Sequence, residues 1–402
     1  MQTNPTLFVL ADDVTGAADC AARCKGVGLP ATILLQLPSE SLPTGALAFS
    51  ADSRYLPPTQ AAARVQALCV ALQQVTAQTE SVIWYKKIDS TLRGNIGAEL
   101  AAMMTLTTTA KTRACAVIAP AFPAQGRGLV DGNLLYPQAP AQKLHLPTLI
   151  AQQTDLPQAL VGLAQVRAGV AELAAYLLAQ YAAGAQLFIA DALTEADLQT
   201  LYQATNAALR QALFCGSAGL MGVIAADLVE AQGAAARPTT PVITHPMLAV
   251  VGSGSVMAQR QLARLRQLPT IDFYQVNPKD ATGARLMAGS GANRLCVLHL
   301  PPPAGDAQLE GATARQYAAA LGAAALAQIQ QRRPHTLLLV GGDTTFYLLH
   351  LLGITALHVE AELFPGMPLT TGVAADGQRY QIILKAGNHG DEETLATLFT
   401  WG

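Results

Sequence analysis

The stretch that decides the fold runs from residue 7 to residue 16: Leu7-Phe8-Val9-Leu10-Ala11-Asp12-Asp13-Val14-Thr15-Gly16. An apolar run without alternation reads as a strand buried on both faces, as in a parallel sheet covered by helices. Two carboxylates, a threonine and a glycine then open an alanine-rich helical stretch over 16–25. Strand, polar turn and helix in that order make the repeating unit of an α/β domain. The unit recurs through the first half, with expected strands at 31–35, 46–50, 81–86, 115–119 and 186–190. Expected helices fill 58–76, 96–104, 168–180 and 194–212.

The segment 125–149 breaks the rhythm: rich in glycine and proline, it reads as an excursion with a short hairpin that covers a site. After a helix over 218–231, small residues with Pro238, Pro241 and Pro246 suit an interdomain connection and hinge near residue 240. Alternation then restarts, with strands at 247–251, 271–275, 295–300 and 336–340 and helices at 256–268 and 312–332. The end differs, because β-rich runs flank Asp376-Gly377, a dipeptide that favours a tight hairpin. The expectation is an α/β fold of two domains with largely parallel sheets, 1–235 and 236–402. That division agrees with a length of 402 residues, more than one core usually serves.

Composition narrows the function. Hydrophobic residues make up 51% and charged residues 13%, so apolar material for buried cores is ample. A net charge of -2 without a basic run gives no footprint for nucleic acid or an acidic membrane surface. No apolar run approaches the roughly 18 residues of a membrane span, and the first residues lack signal-peptide features, so a cytoplasmic protein is expected. The cysteines, Cys20, Cys24, Cys69, Cys115, Cys215 and Cys296, lie scattered in apolar contexts and read as reduced, packed thiols.

In an open α/β sheet, ligands bind where strands end, so polar residues just after strands carry the chemistry. Asp12 and Asp13 could bind substrate hydroxyls, accept a proton or hold a metal, although one of them could simply cap the following helix. Arg54, in Ser50-Ala51-Asp52-Ser53-Arg54, offers a forked donor for a carboxylate. Lys86-Lys87-Ile88-Asp89-Ser90-Thr91-Leu92-Arg93-Gly94-Asn95 concentrates charge and hydroxyls to a degree uncharacteristic of this weakly charged chain. In the second half, Gly252-Ser253-Gly254-Ser255 and Gly341-Gly342-Asp343-Thr344-Thr345 each follow a strand and open a helix, where backbone N–H groups and the dipole favour phosphate. Lys385-Ala386-Gly387-Asn388-His389-Gly390 would let backbone amides meet phosphate or adenine. No G-x-x-x-x-G-K-[ST] occurs, so any nucleotide is held without a P-loop lysine.

In order, the segments ADDVTGAAD, ADSR, KKIDSTLRGN, APAFPAQGR, GSGS, GGDTT, PGMPL and KAGNHG resemble the four-carbon acid sugar kinase family over residues 11–390. The resemblance implies an N-terminal domain that binds a sugar acid, a C-terminal domain that binds ATP, and an active site in the interdomain cleft. It implies transfer of phosphate to the terminal hydroxyl of D-threonate, D-erythronate or a 3-oxo-tetronate. The K-x-D-S-T-L-R-G wording looks more like the threonate and erythronate kinases. Carried over, the substrate positions match Asp12, Arg54 and Asp89, Ser90, Thr91, Leu92 and Arg93. The nucleotide positions match Ser255, the stretch Pro365, Gly366, Met367 and Pro368, and Asn388, to which the glycine turns add Ser253, Gly342 and Gly387.

The expected chemistry is phosphoryl transfer, which asks for alignment and charge neutralisation. Arg54 or Arg93 would take the carboxylate, and Asp12, Asp89 and Ser90 the hydroxyls. Lys86 or Lys87 would stabilise transferring charge, and the base would be Asp12, Asp89 or Asp343. ATP would enter with Mg²⁺, whose ligands stay unassigned. Two rivals stand beside this reading. A nicotinamide-dependent oxidoreductase fits the GSG turn, but Met257 occupies the place of the third glycine. A non-catalytic sugar-acid sensor fits the arginines but not the second set of turns. Oligomeric state stays open, a homo-oligomer included.

Overall fold

The computed structural model describes residues 6–37, 42–76, 82–107, 113–136, 144–231, 241–277, 284–288, 294–302 and 311–401. Of the connection expected over 231–246, residues 232–240 lie outside them. The chain divides into two compact units, Met1–Ala31 with Leu37–Arg237, and Thr32–Gln36 with Pro238–Gly402.

In chain order the first strands are β1 (Thr6–Ala11), β2 (Ala31–Leu34), β3 (Ala46–Ser50), β4 (Val82–Lys87) and β5 (Ala116–Ala119). There follow β6 (Gly128–Val130), β7 (Asn133–Leu135), β8 (Gln158–Val161), β9 (Leu187–Ala190) and β10 (Leu213–Gly216). The first unit orders its main sheet β3-β1-β4-β10-β5-β9-β8, with parallel neighbours throughout. Apolar side chains of β1, β5, β9 and β10 are buried on both faces, which is why these strands show no alternation. Parallel pairing has a functional consequence: the loops after β1, β3, β4, β5, β9 and β10 all leave the same edge of the sheet.

The excursion after β5 contains the expected hairpin. β6 and β7 pair across Asp131-Gly132, both at positive φ. The buried Asp191, just after β9, clamps this turn by accepting from the N–H groups of Asp131 (2.6 Å) and Gly132 (3.0 Å).

The second unit contains β11 (Met247–Val251), β12 (Ile271–Val276), β13 (Ala284–Ala288), β14 (Leu295–His299) and β15 (Thr336–Val340). Its last strands are β16 (Ala356–Phe364), β17 (Met367–Val373) and β18 (Arg379–Lys385), and its order is β13-β12-β14-β11-β15-β18-β17-β16-β2. The core β12, β14, β11, β15 and β18 is parallel. β17 and β18 form the expected hairpin around Asp376-Gly377, with Gly377 at φ 86°.

One expectation is corrected. The strand near 31–35 reads as part of the first sheet, but β2 pairs antiparallel with β16 in the second unit, Ile33 opposite Leu357. Its four residues are all buried, and an apolar tetrapeptide carries no mark of which sheet will cover it. Leu35 N–H and Thr32 Oγ1 complete the attachment through Thr355 O (2.9 Å) and His358 Nδ1 (3.3 Å).

All the cysteines are buried thiols outside any disulfide. No helix among the described residues is long and apolar enough to cross a membrane.

Candidate functional site

At the carboxyl edge of the first sheet, the two adjacent aspartates divide their work. Asp13 caps the helix Val14–Gly26, accepting from Gly16 N–H at 2.6 Å and from Thr15 Oγ1 at 2.9 Å. Asp12 points to Arg54, which donates to it through Nε (2.7 Å) and Nη2 (2.9 Å), a two-pronged geometry that a lysine could not supply. Arg54 also donates to Asp13 through Nη1. β1 and β3 end in register, Ala11 opposite Ser50, and just beyond them Ser53 N–H reaches Asp12 O (2.9 Å) and fixes the arginine beside the pair. Burial alone would raise the Asp12 carboxyl. Arg54, with Lys86 and Lys87 behind it, outweighs that and holds it below the usual range.

The loop after β4 contributes Asp89, Ser90, Thr91, Leu92 and Arg93. Leu92 sits at φ 61°, in a turn closed by its own N–H on Asp89 O (2.9 Å). Asp89 accepts from Thr91 Oγ1 (2.6 Å) and from Arg93 Nε. Burial opposes its ionisation, but Arg93 and Arg54 hold the carboxyl well below the ordinary value. Arg93 engages Asp89 and Thr91 through Nε alone and is 39% exposed, so its terminal nitrogens face no protein acceptor among the described residues.

The paired lysines behave otherwise than expected. Lys86 forms a fully buried ion pair with Glu99 at 2.8 Å, and Lys87 lies 3.6 Å from Asp19. Each also donates to a backbone carbonyl, of Lys87 and Ile88 respectively. Burial alone would lower both ammonium pKa values; Glu99 and Asp19 raise them, so both remain charged. They brace the floor of the site, committed to protein carboxylates.

Arg127 escaped the residue-by-residue reading. It lies in the APAFPAQGR segment after β5, held by paired backbone hydrogen bonds with Phe122 at 2.9 and 3.1 Å. Only 1% of its surface is exposed, yet Nε and Nη2 have no hydrogen-bond partner among the described residues. Nη1 donates to Ser90 Oγ, and the guanidinium carbon lies 5.1 Å from the Tyr136 ring centre. Burial lowers its pKa, since Arg127, unlike Arg54 or Arg93, has no carboxylate partner among the described residues. Its position after a strand, beside a glycine turn, was the available signal.

The second unit gathers its own candidates at one sheet edge. β11, β15 and β18 are parallel and end at Val251, Val340 and Lys385, so the turns carrying Ser253, Ser255, Gly342, Asp343, Gly387 and Asn388 emerge together. β17 runs antiparallel to β18, which brings the Pro365-Gly366 turn and Met367 and Pro368 to the same edge. Ser255 caps the helix Val256–Leu265 and donates to Gly387 O at 2.7 Å, tying the first turn to the last. A side chain at Gly387 would collide with Ser253 Oγ, so only glycine permits this approach. Asp343 does not cap its helix: Gly341 is the N-cap, and Asp343 lies half-buried within the first turn. Among the described residues no group of three or more acids, histidines or cysteines could hold a metal ion.

These two edges agree with what the chain is similar to. A family of sugar-binding N-terminal domains matches residues 7–224, and a family of nucleotide-binding C-terminal domains matches 248–395. A D-threonate kinase of Cupriavidus necator is 31% identical, with 96% of each chain covered. A D-threonate kinase of Salmonella typhimurium is 29% identical, covering 97% of this chain and 96% of that one. A 3-oxo-tetronate kinase of Burkholderia multivorans is 28% identical over 96% and 95%. A solved Salmonella typhimurium protein shares the fold at TM-score 0.71 and 23% identity, covering 98% of this chain and 99% of that one. A Haemophilus influenzae structure does so at 0.67 and 23%, over 98% and 100%. With a sugar-binding unit followed by a nucleotide-binding unit over nearly its whole length, the chain belongs to the four-carbon acid sugar kinase family.

Proposed function

We propose that this protein is an ATP-dependent kinase that phosphorylates the terminal hydroxyl of a four-carbon sugar acid, D-threonate first and D-erythronate next. The observation that carries this reading is the nearly full-length similarity to D-threonate kinases, at 29 and 31% identity. The loops after β1, β3 and β4 support it, because they present carboxylates, hydroxyls and guanidinium groups in the combination a polyhydroxy acid needs.

In this proposal Asp12, Asp89, Ser90 and Thr91 receive the substrate hydroxyls, and Leu92 shapes the turn. Arg54 is spent on Asp12 and Asp13, so it orients Asp12. The substrate carboxylate goes to Arg93 and Arg127, which flank Asp89 and Ser90 and retain unsatisfied donors. Lys87, with Lys86, stays charged in its buried ion pair and supports the loop that carries Asp89 and Ser90. Asp343 is the base, because Asp12 and Asp89 are locked in ion pairs that depress their basicity. Ser253, Ser255, Gly342, Gly387, Asn388 and the stretch Pro365, Gly366, Met367 and Pro368 hold the nucleotide through backbone amides, hydroxyls and helix N-termini. Mg²⁺ would enter with the nucleotide and supply charge neutralisation for the transferring phosphate, since no cluster of acids among the described residues could hold it alone.

The test is ADP release by purified protein with D-threonate, D-erythronate, 3-oxo-tetronate or no acid. Release that depends on D-threonate is expected. Turnover of 3-oxo-tetronate without threonate would overturn the substrate, and no acid-dependent release with any of them would overturn the kinase.

A further inference from the structure

The second unit buries a lysine that the scheme above leaves unused. Lys385 ends β18 with none of its surface exposed, and its ammonium donates to Ala386 O at 3.0 Å and Gly387 O at 3.5 Å. Lys86 and Lys87 have Glu99 and Asp19; Lys385 has no carboxylate within ion-pair distance among the described residues. Two carbonyls satisfy hydrogens but supply no countercharge, so a buried ammonium here is costly until an anion joins it.

Its surroundings are those of an anion site. Lys385 pairs in register with Val340, and Gly341 N–H donates to its carbonyl at 3.1 Å. Gly387 O, one of the ammonium's acceptors, also receives Ser255 Oγ. The ammonium therefore lies where the turns after β11, β15 and β18 meet. Two helices begin there, Val256–Leu265 and Gly342–Leu351, and the second has no side-chain cap on its N–H groups. Acids and imidazoles near this edge are Asp343 in the first turn of that helix, Glu362 before the Pro365 turn, and His389 and Asp391 in the lysine's own loop. Asp391 is engaged by Thr394 and the Glu393 N–H, and Glu362 by the Gly366 N–H.

We propose that Lys385 is the cation that pairs with the terminal phosphates of the bound nucleotide, placed at a strand end where other nucleotide folds use a glycine-loop lysine. This rests on the kinase reading and names its phosphate-neutralising residue. Burial, the sole cause acting on it, lowers the Lys385 pKa from 10.5 to about 7. In free protein at pH 8 the amine at this position is therefore mostly neutral. Phosphate seated beside it restores the charged form, so nucleotide binding takes up a proton from solvent.

The experiment is calorimetric titration of the full chain with ADP and Mg²⁺ at pH 8, in buffers of different ionisation enthalpy. At that pH the terminal phosphate is already ionised. Uptake of most of one proton per ADP is expected in the natural protein. Lys385→Arg should bind within about tenfold of its affinity with no uptake, since arginine is always charged. Lys385→Met should bind at least tenfold more weakly; if it fails to fold, the natural protein and the arginine variant decide. Binding without uptake in the natural protein would overturn the role of Lys385 and leave the kinase standing. Uptake that persists in Lys385→Arg, or disappears in His389→Gln, would assign the proton elsewhere and also overturn it. Failure of the natural protein to bind ADP would strike the kinase reading itself.

Discussion

Replacing Arg127 by glutamine separates a binding role from a structural one, because the two roles predict opposite signs. Breaking a buried ion pair usually costs about 3 to 5 kcal/mol of stability, because the abandoned partner stays buried and charged. Among the described residues Arg127 abandons no carboxylate: Nε and Nη2 are buried without acceptors there, and burial disfavours its charge. Arg127→Gln, which removes the buried charge and strands no carboxylate, should therefore leave unfolding stability within about 1 kcal/mol of the natural protein, or raise it. The substrate carboxylate loses a buried charge-assisted partner, worth about 2 to 5 kcal/mol. That corresponds to a fall in kcat/KM for D-threonate of roughly 30- to 5,000-fold. The KM for ATP should not change. Urea unfolding and a coupled ADP assay measure both quantities on one preparation. A variant that loses 3 kcal/mol of stability while keeping its kcat/KM would refute the reasoning, and Arg127 would then be a structural arginine.

Asp343→Asn should lower kcat by at least about 100-fold with little change in the KM for threonate, since a base acts mainly in the transition state; an unchanged kcat removes Asp343 from the role. Lys86→Met should destabilise the fold by about 3 to 5 kcal/mol by stranding Glu99, and adding Glu99→Met should recover most of that loss; a double variant no better than the single one would contradict a purely structural pair. Asp89, whose folded carboxyl is held below its unfolded value of 3.8, contributes stability that is present above about pH 4 and lost as pH falls through the folded pKa. Asp89→Asn should accordingly flatten the acid limb of a urea midpoint plotted against pH. Lys385 works in the other direction: its penalty is absent above pH 10.5, grows as pH falls towards 7, and is constant below. The stability advantage of Lys385→Met should shrink between pH 7 and pH 10, and a pH-independent gap would rule out a neutral amine.

Much of this architecture is legible in the sequence, for identifiable reasons. β1, β3, β11 and β15 are apolar runs that end in acids, serines or glycines, and a buried parallel strand can hardly look different. β10 was missed although it lies between β4 and β5 in the sheet, because Leu213–Gly216 is only four residues long and directly precedes a helix. Within the site, sequence named Asp12, Arg54 and the 89–93 loop but could not say which charges cancel. The division between Asp13 as cap and Asp12 as ion-pair partner depends on side-chain direction, which periodicity does not encode. The same holds for Lys86 and Lys87, whose partners Glu99 and Asp19 lie on helices that only the folded chain brings near. Arg127 and Lys385 stand out only by what each lacks among the described residues, a carboxylate within reach, and that is a property of three dimensions.

The early strand β2 carries a consequence for how the polypeptide comes to be made. Thr32 bonds to His358, 326 positions later, so the ribosome releases this tetrapeptide long before it has synthesised the edge that will cover it. Until then an apolar strand waits with unmet backbone groups, a template for mispairing that a nascent chain must survive or a chaperone must shield. A fragment beginning at Pro238 would show the complementary defect, an open flank at β16, and a synthetic peptide spanning 31–36 should bind that flank and suppress its aggregation.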